Sequence, residues 1–229
     1  MKLPKLFVPE KDLENSVERL LKEPVKVQRN YGLIEVISAD TFAEGIAQLK
    51  EQGQEPFTFA ENVEARIADY EANGKNVKLF NIWLDSVAGV AYKANSTKFK
   101  IILRSDKLEN IVSGFNQSFI PVNYDAEQGI ELDSKKGEYN RDLTREEVKN
   151  HEFWITVIGG DKEKLAEYVN IWFDKTGKEK SMGVYLRDNT SQDELRELVL
   201  SSDNSNSCAD GNYDLLISNA RFLSGAQQK

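Results

Sequence analysis

The window Ser201 to Asn219 reads S-S-D-N-S-N-S-C-A-D-G-N-Y-D-L-L-I-S-N, and its composition differs sharply from that of the rest of the chain. Ser, Asn and Asp dominate it, it holds the single Cys, and it contains no Lys, Glu, Gln, Met or Trp. Short polar side chains and Gly favour turns, so one interpretation is a solvated loop. That interpretation does not explain why the window lacks Lys and Glu. It also does not explain why a solvated loop contains Cys208, Tyr213, Leu216 and Ile217.

The genetic code supplies a second interpretation of the window. If both adenines of the Asn codon AAC change freely, the outcomes include Asn, Ser, Asp, Ala, Tyr, Cys, Gly, Leu and Ile. They never include Lys, Glu, Gln, Met, Trp or a stop. Every residue of the window belongs to the permitted set. The composition therefore fits a segment that is diversified at adenines.

The end of the chain resembles the variable proteins of diversity-generating retroelements, and most of all their archaeal branch. In that family, adenine-directed copying by a reverse transcriptase diversifies a C-terminal stretch. The similarity lies in S-x-A-x-G-x-x-x-L (Ser207, Ala209, Gly211, Leu215), followed by Ala220-Arg221-Phe222-Leu223. The run W-L-D-S-x-x-G-x-A-Y, from Trp83 to Tyr92, is similar to the opening strands of their C-type lectin fold. Composition alone implies only an α+β chain, whereas the resemblance implies a C-type lectin-like fold.

We predict a helix-rich N-terminal part over residues 1–75 and a C-type lectin-like domain over residues 76–229, with the variable region at 201–219. In the first part, apolar spacing and turn residues predict helices over 9–23, 40–52 (capped by Asp40) and 59–72, and strands over 25–27 and 33–37. In the second part, alternating residues predict a β-meander over 77–103, with Trp83 and Tyr92 in the core and Asp85 bonding a loop.

The remaining elements follow from caps, turns and apolar runs. Thr144 and Glu147 form a capping-box signature that starts a helix ending near residue 158, although residues 153–158 also fit a buried strand. Asp161 caps a helix to Asp174, and Ser191 starts another helix through Leu195, Leu198 and Val199. Short strands are predicted over 119–124, 129–132, 181–186 and 220–223.

Composition excludes several classes of partner and chemistry. The net charge of -8 argues against a nucleic-acid partner held by a general basic surface. No apolar run suits a signal peptide or a membrane span, so we expect a soluble chain of unassigned location without membrane insertion. His151 is the only histidine and Cys208 the only cysteine, which excludes a histidine cluster, a disulfide and a two-thiol site. No Walker loop or dinucleotide fingerprint occurs.

The Asp-rich stretch from Asp203 to Asp214 partly matches a calcium loop. It carries Cys208 and Asp214 where such a loop requires Gly and usually Glu. We therefore assign no metal site and no cofactor, and leave weak calcium binding open. Asp203 and Ser205 fit either fixed or varied positions.

We predict a non-enzymatic binding protein whose partner is an unknown protein or cell-surface ligand. Tyr, Ser, Gly and Asn supply adaptable hydrogen bonds and rigid contact area, as they do in paratopes. Ala209, Gly211, Leu215, Arg221 and Phe222 are predicted to be fixed scaffold. The diversified, ligand-binding positions are predicted among Ser201, Ser202, Asn204, Asn206, Cys208, Asp210, Asn212, Tyr213, Leu216, Ile217, Ser218 and Asn219.

Leu216 and Ile217 fit the core as well as the apolar centre of a binding patch. One alternative function is a hydrolase, which would show two close carboxylates in a deep pocket away from the window. Another is a structural component of a virion or cell surface, which would show a large apolar oligomer interface.

Overall fold

The computed structural model describes residues 34–74, 78–134, 138–202, 207–216 and 219–225. The helix predicted over residues 9–23 and the strand predicted over 25–27 lie outside these ranges and stay predictions. Helices and strands are both present, so the chain is of the mixed α+β class, as predicted.

The helices are α1 (Phe42–Glu51), α2 (Phe59–Asn73), α3 (Asp106–Glu109), α4 (Arg145–Asn150), α5 (Glu152–Val157) and α6 (Lys162–Thr176), with 3-10 turns at Leu79–Asn81 and Tyr124–Ala126. The strands are β1 (Ile34–Ala39), β2 (Gly89–Tyr92), β3 (Lys98–Ile102), β4 (Ile120–Pro121), β5 (Ile130–Asp133), β6 (Arg141–Thr144), β7 (Lys180–Tyr185), β8 (Glu194–Glu197), β9 (Val199–Ser202), β10 (Ser207–Asp210) and β11 (Ala220–Gly225).

Side-chain caps define where the helices begin. The capping box predicted at Thr144 and Glu147 is confirmed, because each residue bonds the backbone N–H of the other. Asp161 caps α6, as predicted. The prediction of Asp40 as the cap of α1 is wrong by one residue: Thr41 accepts the bond from the third residue of the helix. A Thr side chain satisfies the same free N–H group as an Asp would.

The described strands form three sheets. A five-stranded sheet has the order β4-β8-β2-β3-β5, and a four-stranded sheet has the order β6-β7-β10-β9. In the four-stranded sheet β10 runs parallel to β7 and antiparallel to β9, whereas every pair in the five-stranded sheet is antiparallel. The predicted strands over 119–124, 129–132 and 181–186 correspond to β4, β5 and β7.

The first and last described strands, β1 and β11, pair with each other. They run antiparallel with Ile34 opposite Gly225 and Ala39 opposite Ala220, which confirms the predicted closing strand. Helix α1 packs on this pair. A Cβ atom on Gly45 would lie 2.3 Å from the Phe222 ring, so the close approach of α1 requires Gly there. The boundary predicted at residue 75 stays a prediction, although both cores include residues from either side of it.

The larger core is built from the helices together with residues of the four-stranded and the five-stranded sheet. Phe80 stacks on Tyr168 and Trp172 of α6, with ring centroids 5.7 and 5.8 Å away. Burial of such aromatic side chains contributes about 1.5–3 kcal/mol each. The smaller core joins α1 and β11, where Phe42 meets Phe222 edge-on with ring centroids 5.1 Å apart.

The helix predicted from Ser191 through Val199 is wrong. This stretch forms β8 and β9, and β8 pairs antiparallel with β2. The spacing of Leu195, Leu198 and Val199 imitates a helical stripe, but every residue of β8 is buried. Glu194 and Arg196 are buried as a hydrogen-bonded ion pair, so polar residues at these positions did not mark a solvent face.

Two further predictions are corrected by the fold. The β-meander begins only at Gly89, because Leu79–Asn81 is a 3-10 turn and Leu84 makes a single isolated bridge to Leu200. The helix after Thr144 is real but is broken at His151 into α4 and α5, and residues 153–158 are therefore not a strand.

Replacement of Phe222 by Ala tests whether the β1–β11 closure stabilises the fold. Phe222 is fully buried, so we expect Phe222→Ala to lower the free energy of unfolding by about 3–5 kcal/mol. Leu216→Ala is the matched control, because Leu216 is 41% exposed and its loss should cost less than about 1 kcal/mol. Urea unfolding measures both, and equal losses would contradict the assignment of Phe222 to the core.

Candidate ligand-binding surface

The described part of the window begins as an antiparallel strand pair at one edge of the four-stranded sheet. In this pair, Ser202 lies opposite Ser207 and Ser201 opposite Cys208. The chain then continues from Asp210 through an irregular segment, residues 211–216, and reaches β11 after Asn219. Residues 203–206 and 217–218 lie outside the described ranges.

The residues of the S-x-A-x-G-x-x-x-L motif all lie inside the protein. Ser207 and Ala209 are fully buried, Gly211 is buried, and Leu215 is 2% exposed. Side chains alternate between the two faces of a strand, so the spacing of Ser207 and Ala209 places both on the same face of β10. The motif therefore marks the part of the window that packs on the core.

A buried guanidinium fastens Ser207 to the rest of the fold. Nη1 of Arg66, on α2, donates to the hydroxyl groups of Tyr168 (2.7 Å) and Ser207 (3.2 Å). Nη2 of Arg66 donates to the carbonyl oxygens of Ile82 (2.7 Å) and Leu200 (3.1 Å). A buried charge is tolerated only when it has such partners. Through these bonds Arg66 connects Leu200 of β9 and Ser207 of β10 to α2 and α6.

The end of β10 is held by a close approach that only Gly allows. The Tyr92 hydroxyl donates to the carbonyl oxygen of Gly211 at 2.9 Å. A Cβ atom on Gly211 would lie 2.8 Å from Val90 Cγ2 and 2.9 Å from this hydroxyl, so no larger residue fits without displacement. Tyr92 is 4% exposed, which confirms its prediction as a core residue.

The predicted binding positions differ in exposure. Asn212 and Asn219 are exposed, and Leu216 is 41% exposed, so Leu216 lies at the surface and not in the core. Ser201, Asp210 and Tyr213 are partly exposed. Cys208 is only 8% exposed, and burial raises the pKa of its thiol to about 12. The Ser202 side chain, Asn204, Asn206, Ile217 and Ser218 lie outside what the structure describes.

Short-range hydrogen bonds order the exposed segment. Carboxylate oxygens of Asp210 and Asp214 each accept the backbone N–H two residues further on, at 2.9 Å. The N–H of Leu215 donates to the carbonyl of Ser118 at 3.1 Å. Arg196 donates to the carbonyl of Tyr213 at 3.0 Å. The exposed side chains are therefore displayed on a fixed backbone.

A groove of about 630 Å³ adjoins the exposed segment at Asn212. Its walls are mostly polar and include Phe119, Asn140 and the loop of residues 186–192. Nη1 of Arg187 lies 3.5 Å from Asn212 Oδ1, which links the loop to the window. This groove was not predicted from the sequence, although the uninterrupted polar run of residues 187–193 is a signal for a functional loop.

Trp83 and Arg221 form a second feature beside the window. The Arg221 guanidinium lies 4.2 Å from the centroid of the Trp83 ring, and the indole N–H donates to the carbonyl of Asn219 at 3.1 Å. Trp83 is half-buried, so its prediction as a core residue is wrong. Its ring supports a charged side chain at the surface, a task for which an aromatic ring is suited.

Asp85 and Glu197 form a buried carboxyl pair behind this feature. Their carboxyl groups hydrogen-bond each other, and both residues are at most 2% exposed. Burial raises the pKa of Asp85 to about 6 and, together with the Asp85 charge, raises the pKa of Glu197 well above its usual value. Asp85 also accepts the backbone N–H of Arg221, so it bonds strand β11 instead of the predicted loop.

Two grooves at the surface of the described residues do not contain this carboxyl pair. Neither Asp85 nor Glu197 lines the 630 Å³ groove or a smaller, apolar groove of about 450 Å³ near Val112. Within the described ranges, no group of His, Cys, Asp and Glu side chains is arranged to hold a metal ion. No helix among the same residues is long and apolar enough to cross a membrane.

Comparison with solved structures identifies the fold. Superposition gives a TM-score of 0.67 with a chain described under "Accommodation of massive sequence variation in Nanoarchaeota by the C-type lectin fold". The alignment covers 86% of this chain and 99% of that chain, at 19% sequence identity. This chain therefore has the C-type lectin fold, which confirms the predicted fold class. No protein-family model and no curated protein matches the chain.

The buried carboxyl pair makes stability depend on pH. Since the folded pKa values of Asp85 and Glu197 are raised, stability is greatest below their unfolded pKa values and is lost as pH rises through the folded ones. We expect Glu197→Gln to stabilise the protein at pH 8 by on the order of 2 kcal/mol, and to change little at pH 5.

Urea unfolding of both proteins between pH 5 and 8 measures this difference. Burial lowers the pKa of His151, so this residue makes stability increase with pH. The contribution is the same in both proteins and cancels when their free energies of unfolding are compared. A stability difference that is constant with pH would contradict the shared-proton arrangement.

Proposed function

We propose that this chain is a non-enzymatic ligand-binding protein, a variable protein of a diversity-generating retroelement. In this proposal, the window from Ser201 to Asn219 carries diversified side chains on a C-type lectin scaffold, and its partner is a protein or a cell-surface ligand. The proposal is supported by the composition of the window and by the similarity to a fold that accommodates massive sequence variation in Nanoarchaeota.

The observation that carries the proposal is the division of the window by burial. The motif residues Ser207, Ala209, Gly211 and Leu215 are buried, whereas Asn212, Leu216 and Asn219 are exposed. Substitutions at exposed positions usually change stability by less than about 0.5 kcal/mol. The exposed positions are thus free to vary while the buried positions keep the backbone in place.

The exposed side chains suit recognition of a macromolecular partner. Leu216 supplies an apolar contact at 41% exposure, and Asn212, Asn219 and the partly exposed Tyr213 supply polar groups around it. An apolar centre with a polar surround is the usual composition of a protein-binding patch. Cys208 is the exception among the predicted positions, since its burial restricts which residues fit there.

The carboxyl pair of Asp85 and Glu197 does not favour the hydrolase alternative. A catalytic carboxyl group must reach its substrate, and these groups are enclosed by protein at 2% exposure or less. The raised pKa values have a structural cause, since burial is the largest contribution to each. The groove beside the window, at Asn212, instead suits a non-covalent contact.

Sequencing the genomic locus in many individuals tests diversification directly. We expect a near-duplicate of the 3′ end and an adjacent reverse-transcriptase gene. We also expect variants to differ within codons 201–219 and only opposite adenines of the duplicate. The codons of Arg221 and Phe222 are the internal control and should be constant. Constant window codons with no duplicate would contradict the proposal.

A saturation scan of residues 207–216 on a display platform tests the division into scaffold and surface. We expect Asn212 and Leu216 to accept most substitutions, and Ala209, Gly211 and Leu215 to accept few, because their Cβ positions face packed neighbours. Surface expression reports folding. Tolerance that is equal at Asn212 and Gly211 would show that burial does not separate the two sets.

A further inference from the structure

We propose that Arg221 and Trp83 form a constant subsite at the edge of the window, which binds an oxyanion of the partner, a side-chain carboxylate or a phosphate. The inference rests on the proposed function, because it names a chemical group that the partner presents. It adds a contact that does not depend on the diversified residues.

The first argument is the geometry of the Arg221 side chain. Its guanidinium lies 4.2 Å from the centroid of the Trp83 ring, and Trp83 is itself anchored by the hydrogen bond to the Asn219 carbonyl. Because the guanidinium lies over the ring, the ring limits the positions that the guanidinium can take. A planar guanidinium matches the two oxygens of a carboxylate or phosphate.

The second argument is the rigidity of the backbone beneath the side chain. The N–H of Arg221 donates to Asp85 Oδ2, and the carbonyl of Arg221 accepts the N–H of Asp85 at 2.8 Å. Arg221 also lies opposite Ser38 in the β1–β11 pair. A site on a paired strand is held more precisely than one on a loop, so little conformational entropy is lost when a ligand binds.

The third argument is the charge of Arg221. Other arginines pair with carboxylates: Arg104 with Glu109, and Arg145 with Asp174. Among the described residues no salt bridge involves Arg221. Asp85 is the nearby acid, but its carboxyl group is already bonded to the Arg221 backbone and to Glu197.

The fourth argument is the composition of the window. It contains Asp203, Asp210 and Asp214 but no Lys or Arg, so the window of this chain carries no permanent positive charge. A cationic side chain that contacts the partner must therefore lie next to the window and not within it. Arg221 lies two residues beyond Asn219, at the place where the exposed segment re-enters the fold. An acidic group of the partner would therefore meet Arg221.

Panning of a random peptide library on phage tests the subsite. The immobilised baits are the full chain, Arg221→Gln, Arg221→Lys and Arg145→Ala. Arg145 is the matched control, because it also lies over an aromatic ring, that of Phe173 at 5.6 Å, but is paired with Asp174. We expect the unchanged chain and Arg145→Ala to enrich peptides that contain Asp or Glu.

Arg221→Gln should bind the enriched peptides about 10- to 100-fold more weakly, which is the effect of losing a charged hydrogen-bond pair. Arg221→Lys keeps the charge but not the planar fork, and should lose part of the affinity. Thermal unfolding checks that each variant is folded. Displacement of bound peptide by inorganic phosphate more than by acetate, at equal ionic strength, would assign the subsite to phosphate, and the reverse order to carboxylate.

Peptides without acidic enrichment, or acidic peptides that bind Arg221→Gln as well as the unchanged chain, would overturn the subsite. A further bait with Asn212→Ala and Leu216→Ala separates this result from the proposed function. If that bait enriches the same peptides as the unchanged chain, the window is not the binding surface, whatever the result for Arg221.

Discussion

The buried guanidinium of Arg66 is the interaction on which the displayed surface depends. Desolvation of a charge is costly, and it is offset here by hydrogen bonds to two hydroxyl groups and two carbonyl oxygens, and by the Phe80 ring 5.7 Å away. These partners belong to separate parts of the chain: Ile82, Tyr168, Leu200 and Ser207. Because hydrogen bonds are directional, the guanidinium holds Leu200 and Ser207 in a defined position relative to the helices.

The window is held mainly through its backbone, and the side chains that hold it lie outside it. Tyr92 donates to the carbonyl of Gly211, Arg196 to that of Tyr213, and Trp83 to that of Asn219. A carbonyl oxygen is present whatever the side chain of the residue. These bonds therefore survive substitution in the window, which is the physical requirement for a surface that changes while the fold does not. The bonds made by the side chains of Asp210 and Asp214 are different, since they depend on residue identity.

Local signals predicted much of the fold, and tertiary contacts decided the rest. The capping box at Thr144 and the strand at residues 220–223 were predictable because their cause lies in adjacent residues. The strands in residues 191–199 were not predictable from local signals. Arg196 is buried there only because it pairs with Glu194, and the strand itself pairs with the distant β2. A buried ion pair hides the alternation on which strand prediction relies.

The candidate site shows the same division. The motif predicted which window residues lie inside, because Gly and small residues at fixed spacing reflect close packing. No local pattern pairs Trp83 with Arg221, or Asp85 with Glu197, since more than a hundred positions separate each pair in the chain. Such contacts exist only once the first and last strands have closed the fold, so the roles of Trp83 and Arg221 emerged only with the structure.

Strand alternation and burial determine where a substitution in the window changes the exposed surface. Cys208 and Asp210 lie on the opposite face of β10 from Ser207 and Ala209, and Asn212 follows in the irregular segment after the strand. Their exposure increases along the chain, since Cys208 is 8% exposed, Asp210 is partly exposed and Asn212 is exposed. A change at Cys208 alters packing, whereas a change at Asn212 alters only the exposed surface. If the window binds a partner as proposed, the contacts are therefore expected from Asp210 onward, between the groove at Arg187 and the charge of Arg221.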